Sequence, residues 1–215
     1  MKTLLCIILL FTLYPALSKD GNNYEKAMKE ALHGMSQVTS LEDLSVVSNH
    51  FERIANTENE NWLPFYYAGY TRVLMAAMES DSRKKDSFLD VAQTHLDVVE
   101  TIEHDAIERM VLQGFLYMIR MSVDLSRGVE LGQECAMILN QAYMMNDQNP
   151  RAVLMLAQFN LGTAQYMGMD TLEPCSMLVT ALKLLDQSQP EGANQFLPGW
   201  GKDLVLNMQN QCQKK

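Results

Sequence analysis

Four histidines are the side chains of this sequence best suited to bind a metal or to move a proton near neutral pH. They lie far apart, at His33, His50, His95 and His104. The nearest acidic companion is Glu108, which would share a helical face with His104 because the two are four residues apart. Two ligands would hold a metal only weakly, and a polar helix start explains the pair equally well. The sequence therefore predicts no metal site.

Carboxylates around the same position could in principle do acid–base chemistry. Asp97, Glu100, Glu103, Asp105 and Glu108 follow one another closely, but paired carboxylates need a pocket that moves their pKa values apart. Nothing in the sequence indicates such a pocket, and a solvated acidic turn accounts for the cluster. Gly-x-Ser-x-Gly and glycine-rich phosphate loops are also missing. We expect a protein that is not an enzyme, with no catalytic residue and no cofactor.

Aromatic residues concentrate in one short segment, in which Tyr66 and Tyr70 are four residues apart and share a helical face. Arg151 and Gln158 occupy equivalent offsets in a predicted helix that begins at Pro150. In a helical repeat protein these four side chains could line a concave surface that contacts a protein or peptide. Large aromatic residues also fill cores, so burial of the two tyrosines is the alternative interpretation.

Cys135, Cys175 and Cys212 are the cysteines that remain if the first 18 residues are removed. Cys175 lies in the first turn of a predicted helix over 172–187, and Cys212 ends the next predicted helix, over 199–212. Consecutive antiparallel helices bring the start of one beside the end of the other, so a Cys175–Cys212 disulfide is geometrically feasible. Three reduced, separately packed cysteines are the alternative. Cys135 is expected to be a buried free thiol.

Helices must position these side chains, because apolar residues recur at three- and four-residue spacing along the chain, as in Leu89, Ala92 and Leu96. Ser40 and Asn149 are suited to cap helices at their first turns. No segment needs a strand. The predicted helices span residues 24–36, 40–56, 61–79, 86–101, 104–125, 129–145, 150–166, 172–187 and 199–212.

The first 18 residues have the pattern of a cleavable signal peptide, with Lys2, an apolar run over 4–13, and small residues at Ala16 and Ser18. The apolar run is too short to span a membrane. We therefore predict no transmembrane segment after cleavage and one domain over 19–215. Removing Lys2 from the 17 basic residues leaves 16 against 26 acidic residues, a formal charge of −10. This balance argues against nucleic acid as a partner.

An internal repeat indicates the fold class. The segment from Ala142 to Ala157 resembles the junction of a tetratricopeptide repeat, in which one helix ends, a short polar turn follows and the next helix begins. Gly69, Gly114 and Ala157 fall midway along three successive first helices, where such a hairpin needs close helix approach. The resemblance predicts an all-α fold, an α-solenoid of antiparallel helical hairpins with degenerate repeats, clearest over 40–190, and a C-terminal helix.

Three segments extend the resemblance to a family. Residues 61–70 (NWLPFYYAGY), 149–152 (NPRA) and 198–201 (PGWG) are similar to a family of exported tetratricopeptide-like proteins from Bacteroidetes. The resemblance implies a periplasmic, outer-membrane-associated or secreted protein and brings no activity with it. We expect a non-catalytic scaffold of the bacterial envelope that binds a protein or peptide on the solenoid surface. The alternative is a structural subunit of a larger envelope assembly, and the sequence fixes neither the partner nor the oligomeric state.

Overall fold

The computed structural model describes residues 21–102, 104–188 and 190–212, so the predicted signal peptide over 1–18 lies outside the described residues. Within these ranges the chain forms nine α-helices and no strand. None of the described helices combines the length and the apolarity that crossing a membrane would need. The helices are α1 Gly21–Ser36, α2 Leu41–Thr57, α3 Trp62–Met78, α4 Ser82–Thr101, α5 Ala106–Val123, α6 Gly128–Met145, α7 Pro150–Met167, α8 Leu172–Gln187 and α9 Lys202–Cys212.

Polar side chains begin several of these helices. Ser40 caps α2 in a reciprocal capping box, because its hydroxyl accepts from the Asp43 N–H while the Asp43 carboxylate accepts from the Ser40 N–H. Asn149 caps α7 ahead of Pro150, whose missing N–H costs nothing at the first helical position. α4 begins earlier than predicted, because Asp81 accepts hydrogen bonds from the N–H groups of its first turn.

Consecutive helices pack against each other as hairpins. α3 packs against both α2 and α4, α5 against α6, and α7 against α8, while α5 also contacts α3 and α7. α7 is buried at every position from Pro150 to Ala157, as expected of a central helix that is apolar on nearly all sides. One core runs from Met28 of α1 to Met208 of α9. The prediction of an all-helical chain is confirmed for the described residues.

The α5 and α6 helices approach each other closely at Gly114. A Cβ at this position would lie 2.6 Å from Leu139 Cγ, well inside van der Waals contact. The same approach lets the Cys135 thiol donate to the Gly114 carbonyl at 3.4 Å. At Gly69 a Cβ would meet its nearest neighbours at an ordinary 3.5 Å. Of these two glycines, Gly114 is the one whose packing requires the missing side chain.

The C-terminal segment, defined here as residues 190–212, folds back across the N-terminal helices. The Tyr67 hydroxyl of α3 donates to the Phe196 carbonyl at 3.0 Å. The Gln195 side-chain amide donates to a Glu25 carboxylate oxygen of α1 at 2.9 Å. These contacts join residues that lie more than a hundred positions apart in the sequence, so the segment covers helices formed by the other end of the chain.

A glycine turn precedes α9, and a disulfide holds the C-terminal end of this helix. Gly201 has φ +124°, a conformation that L residues rarely adopt, and α9 therefore begins at Lys202 instead of the predicted residue 199. At the other end, Cys212 forms a disulfide with Cys175 of α8, with 5.9 Å between the Cα atoms. Cys135 is buried as a free thiol, and burial raises its pKa to about 12.

Candidate functional site

An apolar cleft lies between the first three helices and the C-terminal segment. Its volume is about 510 Å³, within the range of small-molecule sites. α1 and α2 contribute aliphatic and thioether side chains, α3 contributes aromatic ones, and the C-terminal segment closes the opposite side. Its apolar walls include Leu32, Met35, Leu44, Tyr70, Trp200 and Leu204. Such walls suit a ligand that carries little charge over most of its surface.

Trp200 is held in the cleft by ring contacts and a hydrogen bond. Its ring stacks on Tyr70, with 4.7 Å between the centroids and 16° between the planes, and lies 6.2 Å from the ring of Phe115. Its indole N–H donates to the Tyr66 hydroxyl at 3.0 Å. Trp200 is partly exposed, whereas Tyr66 and Tyr70 are buried. The stack and the hydrogen bond together give the cleft a flat, oriented apolar face.

The rim of the cleft carries charge. Lys202 and Asp203 line it next to Trp200, and the Lys202 ammonium pairs with a carboxylate oxygen of Asp186 at 2.7 Å. The hydrogen bond from Lys202 to Asp186 raises the pKa of Lys202, although both side chains are about half exposed. Lys202 is therefore a cation at the mouth of an otherwise apolar cleft.

A buried polar cluster is centred on Glu108 of α5 and is joined through Tyr66 to Trp200 of the cleft. The Glu108 carboxylate accepts four hydrogen bonds: from Arg151 Nε at 2.8 Å and Nη2 at 2.7 Å, from the Asn149 amide at 2.7 Å and from the Tyr66 hydroxyl at 3.3 Å. Glu108 is 2% exposed and Arg151 is 7% exposed. Through Trp200, which donates to Tyr66, the cluster links α3, α5, α7 and the C-terminal segment.

Burial and neighbouring charges shift the pKa values of Arg151 and Tyr66 in this cluster. Burial by itself lowers the pKa of Arg151, but its hydrogen bonds and attraction to Glu108 outweigh burial, so the Arg151 pKa lies above its usual value. Burial, and then the Glu108 charge, hold the pKa of the Tyr66 hydroxyl well above its ordinary range. Arg151 therefore stays charged and Tyr66 stays protonated, as expected of a structural ion pair and not of groups that exchange protons.

A second, polar cavity of about 330 Å³ opens beside the cluster. Asp105 and Glu108 line it at the start of α5, and Asn149 and Arg151 line it at the start of α7. Residues from the C-terminal segment, including Leu197, complete its walls. The remaining guanidinium nitrogen of the arginine, Nη1, is buried and has no hydrogen-bond partner within the protein.

The four residues of the predicted binding surface do not form an exposed face. Tyr66 is fully buried and Tyr70 is 4% exposed, because the C-terminal segment covers them. Arg151 is turned inward to Glu108, which joins it to Tyr66. Gln158 lies two turns further along α7, partly buried, with its Oε1 lacking a hydrogen-bond partner. The structure places both tyrosines in the core, which was the alternative interpretation.

The His104–Glu108 pair and the acidic cluster are separated by their own partners. His104 Nδ1 lies 2.6 Å from the Ile102 carbonyl, and Glu108 faces Arg151. Glu100 pairs with Arg109 at 2.6 Å, and the Asp105 carboxylate caps α5. Within the described part of the chain no group of three or more His, Cys, Asp or Glu could hold a metal ion.

Trp200 and Lys202 were not among the candidate residues that the sequence indicated. The Pro198–Gly201 segment stood out only as part of a family resemblance, and Glu108 stood out only as part of an acidic turn. A tryptophan between two glycines is the signal that could have directed attention to the cleft. The partners of both Trp200 and Glu108 are distant in sequence, so local spacing carries no trace of them.

No family model matches the chain, and no curated protein matches it. Its fold is similar to a solved structure, the HusA haemophore from Porphyromonas gingivalis, with a TM-score of 0.77. The two sequences are 22% identical, and the match covers 90% of this chain and 94% of the haemophore chain. Identity at this level shows a shared fold over nearly the whole length of both proteins.

Proposed function

We propose that this protein is a non-enzymatic carrier that binds a flat, largely apolar tetrapyrrole of the haem type in the apolar cleft. The observation that carries the proposal is the cleft itself, whose apolar lining includes the mutually stacked rings of Tyr70 and Trp200. A flat apolar ligand gains from such walls, because aromatic and aliphatic side chains bury its apolar area. The similarity in fold to a haemophore supports the same class of ligand.

Three further expectations from the sequence belong to the same proposal. We infer that the hairpins are degenerate tetratricopeptide units of an α-solenoid, that residues 19–215 form one domain, and that residues 1–18 direct export. The continuous core from α1 to α9 supports the single domain. An exported carrier would meet its ligand outside the cytoplasm, where a Cys175–Cys212 disulfide can persist.

The cleft is suited to recognise the ring and not a metal at its centre. Its described lining includes no histidine or cysteine, and Met35 offers only a weak thioether ligand. Burial raises the pKa of the Tyr70 hydroxyl well above its usual value, so a phenolate ligand is disfavoured at neutral pH. We therefore expect haem and metal-free protoporphyrin IX to bind with dissociation constants that agree within about tenfold.

Titration of the chain that begins at Lys19 tests the proposal directly. Quenching of tryptophan fluorescence, to which Trp62 and Trp200 both contribute, and a shift of the porphyrin absorption band would both report binding. If neither haem nor the metal-free ring produces a saturable signal at micromolar concentrations, the proposed function is wrong.

A matched pair of variants locates the ligand. Met35→Glu places a carboxylate on the apolar wall and should weaken porphyrin binding at least tenfold, because an unpaired charge loses hydration against an apolar ligand. Val46→Glu places the same charge on α2 at a side chain that is 63% exposed, and binding should be unchanged. Circular dichroism melting of both variants shows whether each is folded. Equal binding by the two folded variants would place the ligand elsewhere.

A protein-binding role is the second candidate, and exposed apolar side chains on α6 and α7 favour it. Val129 is 91% exposed, Tyr166 is 82% exposed and Met144 is 78% exposed, and exposed apolar side chains gain free energy when a partner buries them. A scaffold or an assembly subunit would use such side chains and not the buried tyrosines. Light scattering on the purified chain separates a monomeric carrier from a subunit that forms a stable oligomer.

A further inference from the structure

The C-terminal segment supplies one whole side of the apolar cleft. Nine of the 17 described lining residues belong to this segment, and the other eight lie between Leu32 and Leu74. The last three of the nine are the first three residues of α9. The cleft is therefore complete only while the segment and the start of α9 stay in place.

α9 buries little of its own surface. Of its 11 residues only Val205 and Met208 are buried, and it packs mainly against α8. A helix of this length is marginal in water without tertiary support. Between α8 and α9 the described chain forms one short 3-10 helix, Gly192–Asn194, and no α-helix. The position of the segment therefore depends on anchors outside it.

The Cys175–Cys212 disulfide is the covalent anchor, at the far end of α9. The two cysteines are 37 positions apart, and the loop that they close contains every residue of the C-terminal segment that lines the cleft. α8 has anchors of its own in the buried Leu178, Ala181 and Leu185. The freedom that the bridge removes therefore belongs mainly to the segment. A cross-link over a loop of this length disfavours the open chain by a factor of about 10² to 10³.

The bridge is also placed where a reductant can attack it. Cys175 and Cys212 are both partly exposed, whereas the free thiol of Cys135 is buried. A thiolate of a dithiol reductant attacks one sulfur of the bridge and forms a mixed disulfide, which the second thiol of the reductant then resolves. Two electrons and two protons pass to the protein. Both cysteines become thiols, and the reductant becomes a disulfide.

We propose that the Cys175–Cys212 disulfide is a redox latch on the apolar cleft. In the oxidised protein the C-terminal segment stays closed and holds the ligand, and reduction by a dithiol lets the segment open and the ligand leave. This inference rests on the proposed function and names the regulation of the same site. Helices α1 to α8 stay folded in both states.

Titration with metal-free protoporphyrin IX tests the latch without the complication of a reducible iron. The oxidised chain from Lys19 should bind at least about tenfold more tightly than the chain reduced with dithiothreitol, because opening lowers the fraction of molecules that have a cleft. Reoxidation should restore the affinity. Equal affinities would refute the latch while the proposed function stands. Binding by neither form would overturn both.

Two variants separate the bridge from other effects of the reductant. Cys175→Ser combined with Cys212→Ser should bind protoporphyrin as weakly as the reduced chain, and dithiothreitol should not weaken it further. Cys135→Ala keeps the bridge and should respond to dithiothreitol as the unmodified chain does. A double variant that binds as tightly as the oxidised chain would refute the latch.

Hydrogen exchange read by mass spectrometry shows whether the opening is local, and it needs no variant. Reduction should remove the protection of residues 190–212 while α3, α5 and α7 remain protected. Unchanged protection of residues 190–212 would mean that the segment stays closed, and loss of protection from all helices together would mean that the bridge holds the whole fold. Either result would overturn the latch.

Discussion

Glu108 shows how much of this fold depends on a single buried side chain. Its carboxylate accepts hydrogen bonds from residues of α3 and α7 and from the residue that caps α7. Buried ion pairs contribute little relative to apolar packing, but removing one partner leaves the other charge uncompensated. The intact ion pair is therefore expected to add little net stability, whereas removing Glu108 should be strongly destabilising.

We expect Glu108→Ala to lower the free energy of unfolding by about 3–5 kcal/mol, because it leaves the Arg151 guanidinium buried without its carboxylate. Glu100→Ala is the control, since Glu100 also pairs with an arginine but is 56% exposed, and the loss should not exceed about 1 kcal/mol. Urea denaturation of both variants measures the difference. Similar losses would mean that the Glu108 pair is solvated in solution.

The spacing of residues predicted the helical face that Tyr66 and Tyr70 share but not what covers that face. Both are buried by residues of the C-terminal segment, more than a hundred positions away in the sequence. Arg151 was likewise placed on a surface because its partner, Glu108, lies 43 residues earlier and belongs to another helix. Periodicity reports which side chains point the same way, and only the packing of distant elements decides whether that direction is outward.

The caps of two helices were predicted closely from the sequence. Ser40 and Asn149 cap α2 and α7 as expected, because capping depends on a few neighbouring residues. The start of α9 was predicted three residues early, because Gly201 adopts a positive φ and the helix begins only after it. A Cβ on Gly201 would lie 2.9 Å from Leu154 Cδ2 of α7.

The packing of α5 against α6 gives a prediction at the scale of elements. In Gly114→Ala, overlap with the buried Leu139 should cost about 1–3 kcal/mol of stability. The better helix propensity of alanine should offset about 1 kcal/mol of that cost. Gly69→Ala, on α3, meets no such overlap and should be neutral or stabilising by up to about 1 kcal/mol. Thermal unfolding monitored by circular dichroism compares the two. Equal midpoints would show that α6 shifts at no cost.

At the scale of the whole molecule, the apolar cleft is bounded by two distant parts of the chain. α1, α2 and α3 form one side, and the C-terminal segment forms the other. The all-helical architecture followed from periodicity, because helices are specified locally. The cleft did not, because it exists only where the end of the helical array turns back over its beginning.

The Cys175–Cys212 disulfide ties the end of the C-terminal segment to α8, so its removal should lower the stability of the whole fold. Replacing both cysteines with serine should lower the free energy of unfolding by about 4 kcal/mol, on the chain-entropy model for residues 37 positions apart. Thiol counting on the chain from Lys19 checks the pairing. We expect one free thiol after denaturation without reductant, and none reactive in the folded protein, because burial raises the pKa of Cys135 to about 12. Three free thiols after denaturation would contradict the pairing.

The contacts of the C-terminal segment also determine at which stage of folding the cleft forms. Gln195, Phe196 and Trp200 contact partners 170, 129 and 134 residues earlier in the chain, and such long-range closures form late because their loop entropy must be overcome first. The helical hairpins can therefore form before the C-terminal segment closes over them, so a partly folded chain has hairpins but no cleft. On the function proposed above, only the closed protein would bind an apolar ring.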